Sequence, residues 1–132
     1  MAKKKSKQCP CGSGKDYTLC CGRYIENGDI PETPEQLMRS RYTAYIMEND
    51  SYLLATWHPT TRPSSLSDGN KLPVKWVELA VIGAANVSKD DTNAVVEFVA
   101  RYKLNGKAEK MHEVSEFVRE DGRWFYRSGQ VS

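Results

Sequence analysis

Four cysteines are the residues of this sequence best suited to chemistry, and their spacing restricts what that chemistry is. Cys9, Cys11, Cys20 and Cys21 lie within thirteen consecutive positions, and the rest of the chain has no cysteine. Four thiolates this close can surround one zinc ion, and Gly12 supplies a tight turn between ligands. Two disulfides are the alternative, but a ring between adjacent cysteines would be strained. The cysteines therefore predict one structural zinc site with no open position for a substrate.

Length and charge exclude several classes of protein. The 132 residues, 39% of them hydrophobic, suit one domain with a small appendage and exclude wholesale disorder. Nineteen basic against seventeen acidic residues give a net charge of +2, so we expect no DNA binding. No apolar run approaches the ~20 residues of a membrane span, and no signal peptide is recognisable. We expect a cytoplasmic protein, where thiols stay reduced.

The charge divides the chain near residue 30. Residues 1–30 hold six basic and three acidic residues, including a cluster of four lysines, whereas residues 31–132 hold thirteen and fourteen. We therefore predict a basic arm with a cysteine module over residues 1–30 and a larger domain over residues 31–132.

The larger domain begins with helical signals. Residues 33–36 read Thr-Pro-Glu-Gln, which is typical of a capping box with proline in the first turn. Apolar residues at helical spacing extend this helix to about Asn49. Asp50 or Ser51 is then expected to cap a second, short helix that ends at about Trp57.

The rest of the chain alternates with period two, which indicates strands. After a crossing rich in proline and serine over residues 59–73, the strings Asn105-Gly106 and Asp121-Gly122 predict two-residue hairpin turns. They join strands of an antiparallel meander, expected at about 74–84, 94–104, 108–119 and 123–128.

These turns also predict a register. They place Phe98 opposite Glu113 and Phe117 opposite Tyr126. The opposite face is expected to be the wetter one, although a bulge would exchange the two faces. The apolar face that the helices are expected to cover carries Val96, Phe98, Ala100, Tyr102, Leu104, Met111, Glu113, Ser115, Phe117, Trp124 and Tyr126.

Glu113 and His58 are the candidate catalytic residues. Glu113 is a carboxylate on the face expected to be buried, so it needs a partner. We expect an ion pair with Arg39 or Arg41, or a place at the rim; the alternative is a polar group in a ligand pocket. His58 is expected to cap backbone carbonyls at a helix end, with acid/base catalysis as the alternative. Six aromatic residues are candidates for lining a pocket, although such residues are usually core: Tyr42, Tyr45, Trp57, Phe98, Trp124 and Tyr126.

The stretch from Cys9 to Gly22 resembles the SEC-C motif, the zinc-binding element at the carboxyl end of the SecA translocation ATPase. In that motif the last ligand is Cys or His, and here it is Cys21. The resemblance implies a zinc knuckle that docks on a protein, as the translocase engages an export chaperone and the ribosome.

The larger domain resembles the nuclear-transport-factor-two-like fold, an α+β cone in which a curved sheet wraps a helix. The strings at residues 37–42, 56–59, 98–102 and 122–126 are similar to those of the YchJ family of small bacterial proteins, which join a SEC-C motif to one such cone. The implied fold is two helices packed on a curved antiparallel meander, preceded by a small zinc knuckle. The resemblance implies no particular activity.

Two functions follow from these expectations. The first is a zinc-binding adaptor whose knuckle docks on a protein partner, the ribosome or the translocation machinery, while the cone binds a ligand or forms a homodimer. The second is a small-molecule-binding protein or acid/base enzyme with a pocket in the cone, using His58 and Glu113. We favour the adaptor, because no nucleophile or acid/base pair at fixed spacing is found in the larger domain.

Overall fold

A computed structural model describes residues 8–64, 74–84, 88 and 90–131 of the chain. The lysine cluster and most of the predicted crossing at residues 59–73 lie outside these residues. The four strands form one antiparallel sheet in the order β1-β2-β3-β4, so the predicted α+β meander is confirmed. The elements are a 3-10 turn (Tyr17–Leu19), α1 (Gly22–Ile25), α2 (Pro34–Ile46), α3 (Asp50–Ala55), β1 (Val74–Ala84), β2 (Asn93–Leu104), β3 (Lys107–Glu120) and β4 (Arg123–Val131).

The predicted capping box starts α2. The backbone N–H of Gln36 donates to the Thr33 hydroxyl at 3.1 Å, and the N–H of Thr33 donates to the Gln36 side chain at 3.3 Å. Two amides that the helix leaves without a partner are thereby satisfied. The first residue of α2 is Pro34, which has no N–H to satisfy.

The break between α2 and α3 comes earlier than the sequence predicts. α2 ends before Glu48, whose φ of 56° lies in the left-handed region. Asn49 then caps α3, because its side chain accepts a hydrogen bond from the N–H of Tyr52 at 3.1 Å. The predicted caps Asp50 and Ser51 were wrong, since the side chain one residue earlier already reaches this amide.

The segment after α3 pairs with the sheet instead of continuing the helix. α3 ends at Ala55, and Trp57, the predicted helix end, forms a parallel bridge with Tyr126 of β4. The N–H of Tyr126 donates to the carbonyl of Thr56 at 2.9 Å, and the N–H of His58 donates to the carbonyl of Tyr126 at 2.7 Å. These hydrogen bonds join the segment after α3 to the free edge of β4.

Both hairpin turns have the predicted conformation. In Asn105-Gly106 and in Asp121-Gly122 both residues have φ between 53° and 81°, as a type I′ turn requires. The register that they impose is also confirmed, since Phe98 faces Glu113 across β2 and β3.

A bulge shifts the register between β3 and β4. Phe117 faces Tyr126 as predicted, but the register changes between Glu116 and Phe117, so Ser115 faces Gly129. The bulge exchanges the two faces of β4 beyond Tyr126, and Gly129 comes to the inner face. β4 is also three residues longer than the predicted strand at 123–128.

The core lies between α2 and the inner face of the sheet. Of the eleven residues on the predicted inner face, six are buried and five are half-buried. On the outer face Val95 and Val114 are exposed, although Val118 is buried. The cysteine module joins this core instead of standing apart from it. One continuous cluster contains Cys9, Cys11, Cys20, Cys21, Leu37, Met38, Tyr42, Leu79, Val96, Phe98, Ala100, Phe117 and Trp124.

Candidate functional site

The four cysteine sulfurs converge on one point. Their Sγ atoms all lie within 4.8 Å of one another, and those of Cys11 and Cys20 are 3.6 Å apart. A tetrahedral ion with Zn–S bonds of about 2.3 Å would separate its ligands by about 3.8 Å. All four side chains are buried, so the site is closed to solvent. The donor set and the spacing fit a single structural metal ion.

Local turns bring the two cysteine pairs together. The N–H of Cys9 donates to the carbonyl of Lys15 at 2.8 Å, and Gly12 turns the chain with a φ of 83°. The 3-10 turn and α1 place the second pair. At Gly22 a Cβ atom would lie 2.8 Å from the carbonyl oxygen of Tyr17, a distance that real Cβ atoms do not adopt. Glycine at position 22 therefore lets α1 begin directly after the last ligand.

The thiols need a cation in order to ionise together. Hydrogen bonds from the thiols of Cys11 and Cys21 lower the pKa of Cys9 to about 3. The neighbouring thiols of Cys11 and Cys9, together with burial, raise the pKa of Cys21. The opposite directions of the two pKa shifts show that ionisation of one thiol opposes ionisation of its neighbours. A divalent cation is the charge that would let all four act as ligands.

Side chains of α2 hold the module in place. Arg39 donates from Nη1 to the carbonyl of Cys11 at 2.8 Å and from Nε to Glu35 at 2.9 Å. The hydroxyl of Thr43 lies 3.7 Å from the Sγ of Cys9. The metal site is therefore fixed to the first helix of the larger domain.

A cavity of about 270 Å³ lies between α2 and the inner face of the sheet. Of the predicted site residues, Glu113 and four aromatic candidates, Tyr42, Tyr45, Phe98 and Tyr126, line it. The candidates Trp57 and Trp124 are not on its wall. Met111, Ser115 and Phe117, which strand alternation placed on the inner face, also line the cavity. Trp76 of β1 and Met38 of α2 add to this wall, and neither is among the predicted site residues.

Glu113 makes neither of the expected ion pairs. Its carboxylate accepts a hydrogen bond from the hydroxyl of Ser115 at 2.6 Å, and no cation of the described residues lies within ion-pair distance. The predicted partners are engaged elsewhere: Arg39 contacts Glu35, and Arg41 turns toward α3. The predicted pairing was wrong, and the carboxylate faces the cavity instead.

Arg41 is a buried cation on the same wall. It is 5% exposed, and its Nη1 donates to the carbonyl of Leu53 and to the hydroxyl of Thr56, both at 2.7 Å. Its guanidinium carbon lies 5.0 Å from the ring centre of Trp57 and 4.5 Å from that of Tyr126. Burial lowers the pKa of this guanidinium, and no carboxylate of the described residues pairs with it. Neutral groups alone therefore surround a full positive charge.

Tyr42 is a buried aromatic residue of the cavity wall. The side chain is 4% exposed, and its hydroxyl has no hydrogen-bond partner in the described part of the chain. Burial, followed by the charge of Glu78, raises the pKa of Tyr42 to about 12. Its ring meets Trp76 edge to face at 5.9 Å, and Tyr45, 41% exposed, marks where the cavity reaches the surface.

Gly129 makes room for the carboxyl group of Glu113. A Cβ atom at position 129 would overlap the Glu113 carboxyl group and would lie 3.0 Å from the Tyr126 hydroxyl. Burial and the charge of Glu113 raise the pKa of Tyr126 to about 12. Only the bulge places this glycine on the inner face, so the sequence pattern does not reveal it.

His58 lies away from the cavity. Its Nδ1 accepts from the N–H of Thr60 at 3.2 Å and lies 2.6 Å from the Thr60 hydroxyl, so Nε2 carries the proton that is donated to Glu120 at 2.7 Å. The side chain caps no helix carbonyl, because Thr60 and Glu120 occupy both ring nitrogens. His58 and Glu113, the two catalytic candidates, do not share a site.

Two family models match the chain. Residues 33–129 match "YchJ, middle NTF2-like domain", and residues 6–23 match the SEC-C motif. The chain belongs to the YchJ family. A UPF0225 protein of Chromobacterium violaceum is 53% identical over 94% of this chain and 93% of its own length. A UPF0225 protein of Bordetella pertussis is 46% identical over 93% and 92%.

Solved structures of similar proteins have the same architecture. The solution structure of a SEC-C motif containing protein from Rhodopseudomonas palustris matches with a TM-score of 0.82 at 35% identity, over 92% of this chain and 96% of that one. The crystal structure of another, from Psychrobacter arcticus, matches with a TM-score of 0.69 at 25% identity, over 94% and 82%. In this YchJ-family chain, no helix of the described residues is long and apolar enough to cross a bilayer.

Proposed function

We propose that this YchJ-family protein is a cytoplasmic zinc-binding adaptor that docks on a protein or ribosomal partner through its SEC-C module. Cys9, Cys11, Cys20 and Cys21 would hold the zinc ion. The ion would supply structural cross-linking and no catalysis, because four protein ligands leave it no open position. The buried, closely spaced sulfurs support this role.

An exposed apolar side chain on the module is the observation that carries the docking proposal. Leu19 is 63% exposed and immediately precedes the ligand Cys20, so a bound metal would hold it rigidly at the surface. Lys15, also exposed, lies in the loop between the cysteine pairs and adds a positive charge. A rigid apolar anchor beside basic residues suits a protein or ribosomal surface.

Co-sedimentation with purified bacterial ribosomes, and in parallel with the translocation ATPase, tests this proposal. Leu19→Ser should weaken binding to the partner about tenfold or more, because an apolar anchor is lost. Ile82→Ser is the matched control, since Ile82 is 57% exposed but lies in β1 of the larger domain, and it should bind like the wild type. Equal binding by both variants would contradict the docking surface.

The metal is tested on the same sample. Native mass spectrometry should show one zinc ion per chain, and chelation should remove it. The same spectra measure the oligomeric state and so test the predicted homodimer. A folded, fully reduced chain without zinc would contradict the metal assignment.

The cavity supports a second function, the binding of a small molecule in the cone. The specific observation is that Arg41, a buried cation, and Glu113, a half-buried carboxylate, line this cavity without an ion-pair partner among the described residues. Buried polar groups are normally hydrogen-bonded, so a ligand would satisfy them. The separation of His58 from Glu113 gives no support to the acid/base pair expected from the sequence.

A further inference from the structure

The cavity between α2 and the sheet carries one positive and one negative charge that do not neutralise each other. Arg41 and Glu113 both line it, and within the described residues neither forms an ion pair. The formal charges of the cavity wall sum to zero, since its other lining residues are uncharged. A ligand that matches both charges therefore carries one of each.

Burial makes these two charges costly. Arg41 is 5% exposed; its Nη1 donates to two neutral acceptors, and the rings of Trp57 and Tyr126 offset its charge only in part. Glu113 accepts one hydrogen bond from Ser115. An unpaired charge in a partly desolvated site destabilises the protein, and an opposite charge brought by a ligand relieves that cost.

The sequence provides room for the carboxylate itself on the inner face. Gly129 has an ordinary strand conformation, so its backbone does not require glycine. Its lack of a side chain instead leaves room at the Glu113 carboxyl group and the Tyr126 hydroxyl.

The remaining wall suits a small apolar body. Met38, Trp76, Phe98, Met111 and Phe117 supply apolar and aromatic surface. The volume of about 270 Å³ lies just below the roughly 300 to 1,000 Å³ of typical ligand pockets, so the occupant is small. Aromatic faces also stabilise an ammonium group beside a carboxylate.

We propose that the cavity binds a small zwitterion with an apolar body, of the class of the aromatic α-amino acids. Its ammonium group lies at Glu113, its carboxylate at Arg41, and its side chain against the methionine and aromatic wall. This inference rests on the second proposed function, small-molecule binding in the cone.

Four probes that share a phenylethyl group test the charge requirement. L-phenylalanine carries both charges, phenethylamine only the positive one, 3-phenylpropionate only the negative one, and 3-phenylpropanamide neither. Titrations are followed by the methyl NMR signals of ¹³C-labelled methionines in the full chain. Met38 and Met111 line the cavity and should shift, whereas Met47, 44% exposed and in contact with the Tyr17 hydroxyl, should not. L-phenylalanine should bind about tenfold or more tightly than each of the others.

A charge change on the wall should redirect this preference. In Glu113→Gln the cavity keeps Arg41 but loses its carboxylate, so L-phenylalanine should bind about tenfold more weakly and 3-phenylpropionate should become the tightest probe. Glu116→Gln is the matched control, because Glu116 is on the same strand but is exposed and contacts Ser128. It should keep the preference for L-phenylalanine.

The outcomes separate the two proposals. If the wild type binds phenethylamine or 3-phenylpropionate as tightly as L-phenylalanine, or binds all four probes equally, the preference for a zwitterion is overturned. The cavity would then still be a binding site for small molecules. If no probe, the uncharged one included, shifts Met38 or Met111, then small-molecule binding in the cone is itself overturned.

Discussion

Removal of the metal should destabilise the whole domain, because the cysteine module is part of its core. The four cysteines are buried in one cluster with Leu37, Met38 and Leu79 of the larger domain. Arg39 and Thr43 add polar contacts between α2 and the module. A chain without metal would therefore lose packing well beyond its first 30 residues.

The size of this effect follows from the side chains that the module covers. Fully uncovering a large apolar side chain costs about 1.5 to 3 kcal/mol. If loss of the module exposes about half of Leu37, Met38 and Leu79, the free energy of unfolding falls by about 3 kcal/mol. At about 4 °C for each kcal/mol in a chain of this size, the melting temperature falls by about 12 °C.

Tryptophan fluorescence measures this effect without interference from the module. Trp57, Trp76 and Trp124 all belong to the larger domain, so thermal unfolding followed at the tryptophans, with and without chelator, reports that domain alone. The control is Cys21→Ser, which should already show the lower melting temperature and should respond no further to chelator. A tryptophan transition that chelation leaves unchanged would refute the shared core, because the module would then unfold by itself.

Two further substitutions test particular contacts. Gly22→Ala places a Cβ atom 2.8 Å from the Tyr17 carbonyl, so it should weaken metal retention in a competition assay with a chromophoric chelator. Gly83→Ala is the control, because nothing lies within 4 Å of the added atom, and it should retain metal like the wild type. Tyr126 has a folded-state pKa raised from 10.0 to about 12, so between these pH values the unfolded chain binds fewer protons and stability falls as pH rises. Tyr126→Phe should make that decline shallower in urea unfolding, and an unchanged slope would show that this hydroxyl does not titrate differently on folding.

The sequence predicts best where a few neighbouring residues decide the conformation. The capping box at Thr33 and the turns at Asn105-Gly106 and Asp121-Gly122 each depend on residues within four positions of one another, and all three form as predicted. Because turn type determines register, the pairing of Phe98 with Glu113 follows from one turn alone.

The failures arise where distant contacts compete. Arg41 was an expected partner of Glu113, but the carbonyl of Leu53 and two aromatic rings hold it instead, and neither contact can be read from spacing along the chain. The bulge at Glu116 depends on packing between strands, and it alone brings Gly129 to the carboxylate. Both departures lie at the cavity, where local sequence preference and the observed structure disagree.

Helix α2 connects the two candidate sites. Arg39 and Thr43, four residues apart on one face, contact the cysteine module, while Arg41 and Tyr45, also four residues apart, line the cavity. Tyr42 lies between them and belongs both to the cavity wall and to the cluster that contains the cysteines. Docking through the module and ligand binding in the cone are therefore compatible functions of one molecule. Because they share a single helix of thirteen residues, a displacement of α2 at one site moves side chains at the other.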